Sequence, residues 1–176
     1  VKHVRRGGEY YRVCDPSWTD PSDTSYSKQK GGRWNPPDAA LRPGFGALYL
    51  NASIDVAREN VHRHIRSLFG AAATIDDLNP AVLPDLQHYE VTEEEFLDAV
   101  TPAGIAMLGL AATYPIDIPH PPCQGIAAAA YAAGDHGVAA LSAVAPAEEE
   151  LVIFDRSVPA LVAKHNRQAF ADWFGP

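Results

Sequence analysis

The run Gly31-Gly32-Arg33-Trp34-Asn35-Pro36-Pro37 carries more structural information than any other segment of this chain. Two adjacent glycines let the backbone approach a neighbouring group closely and expose amide N–H groups. The arginine beside them suits bidentate pairing with a phosphate or a carboxylate. Trp34 either walls a pocket or anchors the loop in the core, and the residues alone leave both open. The spacing matches neither the glycine fingerprint of a dinucleotide-binding strand–helix turn nor a phosphate loop ending in Lys-Ser/Thr.

Around this run lies a long polar segment, Asp15 to Pro43, punctuated by Asp15-Pro16, Asp20-Pro21 and Asn35-Pro36-Pro37. A loop of that length is functional or disordered, and Trp18, Tyr26 and Trp34 favour an ordered one. Upstream, Tyr10 to Cys14 predicts a strand. Arg12 within it must point outward or be paired, because burying an unpaired charge is costly. Downstream, Ala47-Leu48-Tyr49-Leu50 predicts a short buried strand. Tyr49 faces away from Leu48 and Leu50 and is either a core tyrosine or the lining of a cleft.

Ser53 is a good N-cap, and Ala57, Val61, Ile65 and Leu68 mark one face of a helix of about four turns. Thr92 with Glu95 forms a capping-box pattern, which predicts a short acidic helix through Val100. Cys123 to Ala133 is an alanine-rich helix stopped by Gly134. Val138–Leu141 and Leu151–Phe154 read as two strands joined through Pro146 and Glu148–Glu150, the glutamates forming a solvated charge patch. Ser142 ends the first of these strands, a place for a catalytic or hydrogen-bonding serine and equally for an ordinary turn. Val158 to Phe174 reads as a C-terminal helix, with Lys164, His165 and Arg167 on its polar side. Strands and helices mix without regular βαβ alternation, so the class is α+β.

Composition sets the outer bounds. The chain has 176 residues, 47% of them hydrophobic, enough for one domain with a sizeable core. Fourteen Lys+Arg against 22 Asp+Glu give a net charge of −8, which is unsuited to sequence-independent nucleic-acid binding. Cys14 and Cys123 make neither a disulfide framework nor a CxxC metal pattern, and a reduced compartment follows. No signal-peptide pattern or bilayer-length apolar run is visible, so a soluble cytoplasmic protein is expected. His62 and His64 stand two apart on a helix, not the three or four that bring ligands together. His120 and Cys123 are separated by Pro121-Pro122, and no metal is expected.

Taken in order, Tyr11-Arg12-Val13, the Gly31–Pro37 run and Ala47-Leu48-Tyr49-Leu50 resemble the RES domain family, named for an Arg, a Glu and a Ser. Cys123-Gln124, Gly137-Val138, Leu141-Ser142 and Leu151–Phe154 extend the resemblance, which spans about Tyr10 to Phe154. It implies one RES-like domain over 1–176, with the motif-bearing core at about 10–154 and a C-terminal helix at about 158–174. The implied fold is a compact α+β domain similar to the ADP-ribosyltransferase toxins. The implied activity is that of a bacterial toxin that consumes NAD+ as substrate, cleaving the nicotinamide–ribose bond by hydrolysis or phosphorolysis and arresting growth. The implied partner is an Xre-like antitoxin that occludes the pocket in an oligomeric complex and leaves DNA binding to itself. Two alternatives stay open: a mono-ADP-ribosyltransferase acting on a specific bacterial protein, and a non-catalytic member that binds NAD+ or antitoxin.

By the same resemblance, Arg12, Glu59, Asn60 and Ser142 form the catalytic set. Gly31, Gly32, Arg33, Trp34, Tyr49 and Tyr26 form the NAD-binding set. The family glutamate falls three residues after a helical alanine. Counting from Ala57 gives Asn60, with Glu59 one step early. A helical step turns about 100°, so the two are not interchangeable. Relative to Val61 on the apolar face, Glu59 points nearly opposite and Asn60 flanks it. With Asn60 at the family position, ordinary hydrolysis of NAD+ is in doubt, and transfer to another acceptor, or weak activity, stays open beside it.

Overall fold

A computed structural model describes residues 1–39 and 43–174. Residues 40–42 of the long loop and the last two residues of the expected 1–176 span lie outside the described residues. The chain runs β1 (His3–Cys14), α1 (Ser25–Lys30), β2 (Ala47–Asn51), α2 (Ile54–Phe69), β3 (Asp85–Ala99), α3 (Pro102–Met107) and α4 (His120–Ala133). It continues through β4 (Gly137–Leu141), β5 (Glu149–Phe154), α5 (Val158–Leu161), β6 (Val162–Gln168) and α6 (Phe170–Trp173). The six strands form one mixed sheet in the order β1-β2-β5-β4-β3-β6, and β1 also pairs with β3, so the order closes back on itself. The β3–β4 pairing is parallel, Leu97 opposite Val138, while β1–β3, β2–β5, β4–β5 and β3–β6 are antiparallel. The α+β class read from the sequence holds.

Strand periodicity sorts the core. In β5, Val152 and Phe154 join Trp34, Phe45 and the α4 residues Cys123, Ala127 and Ala130 on one side of the sheet. Leu151 and Ile153 join Leu48, Leu50, Tyr10 and Tyr89 on the other. Helix α2 starts where Ser53 accepts a hydrogen bond from the Val56 N–H, and it buries Ala57, Val61 and Ile65 against Leu86 and Trp173. Helix α4 carries prolines in its first turn and ends at Gly134, whose φ of +100° suits glycine.

Two expected helices are absent. The capping-box pattern at Thr92 and Glu95 lies inside β3, where Tyr89 and Val91 are buried while Glu90 and Thr92 are exposed. Pairing along the whole of β1 overrides the local signal: Arg5 stands opposite Glu95 and Arg6 opposite Glu94, and Arg5 bonds Glu93 at 2.8 Å. Likewise, 158–174 is not one helix but α5, β6 and α6. Residues Lys164 to Gln168 offer no apolar stripe for a helix to bury. As a strand they cover the edge of β3, with Lys164 on Asp20 at 3.0 Å and Arg167 on Asp85 at 2.8 Å.

Candidate functional site

The Gly31–Pro37 run is a tight plug between α1 and β2. Gly31 adopts φ +73°, and its N–H donates to the Ser27 carbonyl at 2.8 Å. The Gly32 N–H donates to the Asn35 carbonyl at 2.9 Å, so both amides are engaged within the protein. A Cβ on Gly32 would collide with the Tyr49 hydroxyl. That hydroxyl accepts from the Trp34 N–H at 2.9 Å and donates to Asn35 Oδ1 at 2.8 Å. Asn35, fully buried, donates in turn to the Ser27 and Phe45 carbonyls. The two glycines therefore let the loop close over a tyrosine, and Trp34 is its core anchor, fully buried and edge-on to Tyr114.

The plug leaves Arg33 at its tip, donating to the Leu141 carbonyl at the end of β4 at 3.1 Å. Beside it opens a cleft of about 260 Å³ lined by Arg12 of β1, Tyr49 and Asn51 of β2, Asn60 of α2 and Glu150 of β5. A second cleft of about 440 Å³, lined by Trp18, Asp20, Asp23 and Tyr26, shares Arg12 as a wall. Arg12 donates to the Pro21 carbonyl at 2.6 Å and lies over the Trp18 ring at 5.3 Å. Among the described residues, neither Arg12 nor Arg33 has a carboxylate within ion-pair distance. Burial lowers the Arg12 pKa, yet a guanidinium stays cationic at neutral pH. An unpaired, half-buried cation between two clefts suits an anionic ligand.

The two neighbours on α2 are placed differently. Asn60 lines the cleft and donates to Asn51 Oδ1 at 2.7 Å. Glu59 is exposed, 3.8 Å from Arg66, and is not brought to the cleft. Ser142 is fully buried; its hydroxyl accepts from the Val144 and Ala145 N–H groups at 3.3 and 3.4 Å. Tyr26 is exposed and belongs to the second cleft.

Reading 148–150 as one solvated patch needs correction, because β5 begins inside it. Glu148 is exposed in the turn. Glu149 makes two hydrogen bonds to Arg6, at 2.6 and 2.8 Å. Glu150, the cross-strand partner of Asn51, faces the cleft. Burial pushes its carboxyl pKa up, while Arg33, the Ser142 hydroxyl, Arg63 and the Ala143 N–H pull it back. The signal was present as strand alternation, since Glu150 shares a face with Val152 and Phe154 once the strand is begun at Glu149. Asn51 was missed for the same reason, one residue past the predicted strand.

Among the described residues, no three of His, Cys, Asp and Glu converge in a metal-binding arrangement, and no helix is long and apolar enough to cross a membrane. Comparison with known proteins places the geometry in context. A family model described as the RES domain matches residues 9–173. Among solved structures, a chain of the crystal structure of the M. tuberculosis MbcT–MbcA toxin–antitoxin complex aligns with a TM-score of 0.76 at 23% sequence identity, covering 94% of this chain and 85% of that one. That likeness is one of fold. No curated protein sequence matches.

Proposed function

The chain belongs to the RES domain family, and on that premise we propose that it is the toxin of a bacterial toxin–antitoxin pair that consumes NAD+ by cleaving its nicotinamide–ribose bond. The observation that carries this reading is Arg12, a cation without a carboxylate partner among the described residues that walls two adjoining clefts. A dinucleotide is two bulky halves joined by an anionic pyrophosphate, which fits that arrangement. Arg12 then holds the pyrophosphate by charge-assisted hydrogen bonds, with Arg33 as the second cation of the site. The larger cleft, with Trp18 and Tyr26, takes the adenosine half. The smaller cleft takes the nicotinamide riboside beside Tyr49, and Asn60 and Asn51 offer amide groups to the ribose hydroxyls.

In the reaction, the electron pair of the C1′–N1 bond leaves with nicotinamide, which discharges the pyridinium. The ribose carbon acquires oxocarbenium character, and water or phosphate adds to it, releasing ADP-ribose or its 1″-phosphate. Tyr49 is no proton donor in this scheme. Burial pushes its pKa up and its hydroxyl is already engaged with the plug, so it shapes the cleft and offers its ring. The M. tuberculosis relative in fold was crystallised in a toxin–antitoxin complex. A partner segment laid over the Arg12 clefts would shut off this chain, and the net charge of −8 suits a complex in which the partner carries any DNA binding.

Expression of the chain without a partner in bacteria tests the reading. The expected result is growth arrest with a fall in cellular NAD+, and normal growth with normal NAD+ for Arg12→Ala. Arrest at unchanged NAD+, with ADP-ribose appearing on protein, would instead establish a transferase.

A further inference from the structure

We propose that Glu150 is the carboxylate that faces the reacting ribose carbon and takes the proton of the incoming acceptor. The inference rests on the NAD+ reading above and deepens it. Cleaving the nicotinamide–ribose bond develops positive charge at C1′, and a fixed carboxylate nearby stabilises that charge in the transition state. Among the described residues lining the smaller cleft, Glu150 alone is acidic; Arg12, Tyr49, Asn51 and Asn60 supply a cation and neutral groups. The acidic residues of α2 are turned elsewhere, Asp55 toward Arg58 at 3.0 Å and Glu59 toward Arg66 at 3.8 Å.

The surroundings of Glu150 fit a working group better than a structural one. Arg33, the Ser142 hydroxyl, Arg63 and the Ala143 N–H all favour its charged form, and Glu150 has no ion pair of 4 Å or less among the described residues. The β4–β5 turn does not need it. Ser142 N–H already donates to the Glu148 carbonyl at 2.9 Å and Glu148 N–H to the Ala145 carbonyl at 2.8 Å. Burying a carboxylate without a close cation is unfavourable, and such placements concentrate at functional sites. In the balanced step, a water lone pair forms the new bond to C1′ as the C1′–N1 pair departs with nicotinamide. The water proton passes to the Glu150 carboxylate and then to solvent.

The test is steady-state NAD+ cleavage by the purified full chain, with Glu150→Gln, Glu150→Asp and Glu59→Gln, over a range of pH. For Glu150→Gln the expected loss in kcat is on the order of 100-fold or more with KM within a few-fold, and the acid-side fall of the wild-type pH profile disappears. Glu150→Asp keeps that acid-side fall and more of the activity. The charged and titratable groups facing Glu150 are Arg33 from the plug, Arg63 from α2, Tyr49 from β2 and Arg12 across the cleft. If the wild type turns over and Glu150→Gln stays within about threefold, or Glu59→Gln collapses instead, the assignment to Glu150 is overturned while the NAD+ reading stands. Wild-type protein that leaves NAD+ intact would remove both. A melting curve of Glu150→Gln separates lost chemistry from lost fold, and Glu150→Asp carries the same test if the glutamine form does not fold.

Discussion

Tyr49 shows how one side chain ties the plug to the sheet. Its hydroxyl satisfies the Trp34 N–H and Asn35 Oδ1 together, so Tyr49→Phe leaves a buried donor and a buried acceptor unpaired. The expected cost is about 1–3 kcal/mol in a urea titration. Gly32→Ala pushes a methyl group into the same hydroxyl and should cost a similar amount. The glycines, the arginine and the tyrosine of this region were readable because each is an unusual residue in a distinctive local pattern. That the glycines serve Tyr49, with their amides engaged in the plug, was not readable, since it depends on a strand more than ten residues away. Glu150 was hidden in an acidic run whose members take three different environments. Its raised pKa also has a sign. The folded-state value lies above the ordinary 4.5, so its contribution to stability is fully present below about pH 4.5 and is lost as pH rises through the folded value. Glu150→Gln removes that loss, and its melting temperature relative to wild type should rise from pH 4 to pH 7.

At the level of elements, the segments that announce themselves locally were legible: α2 by its serine cap and apolar stripe, α4 by its terminal glycine, and β2, β4 and β5 by short β-branched and aliphatic runs. β3 and β6 were not, because both are strands only by virtue of distant partners, β1 for the first and the edge of β3 for the second. The end of the chain is integral to the core even so. Trp173 of α6 is buried, packs with Ala57, Val61, Ile65 and Leu86 and donates to the Pro84 carbonyl at 3.0 Å. Trp173→Ala should therefore cost about 3–5 kcal/mol by denaturant unfolding. The β3–α3 junction hangs on Asp98, which is fully buried. Burial alone would push its carboxyl up, but the Thr101 hydroxyl, the Thr101 and Val100 N–H groups and Lys2 outweigh that and hold it at about 2. Because this lies below the ordinary 3.8, the stabilisation is present above about pH 3.8 and is lost as pH falls through 2. Asp98→Asn should flatten the acid end of the stability curve as well as lower stability at neutral pH.

Across the whole molecule, the closed strand order brings β1, β2, β5 and the start of α2 around one small cleft, with Arg12 as the hinge to a second. The polar proline-rich loop supplies the wall of the larger cleft and, through the plug, the second arginine. This arrangement is why a chain of net charge −8 still sets two arginines, Arg12 and Arg33, beside its clefts without a carboxylate partner among the described residues. On the proposed reading, these clefts bind and cleave NAD+. The most direct test is the time course of nicotinamide release from NAD+ by the purified, partner-free chain, beside Arg12→Ala and with phosphate present or absent. One nicotinamide is expected per NAD+ consumed, with release abolished by Arg12→Ala. Intact NAD+ after incubation with wild-type protein at equal concentration, and no ADP-ribose on any protein, would contradict it.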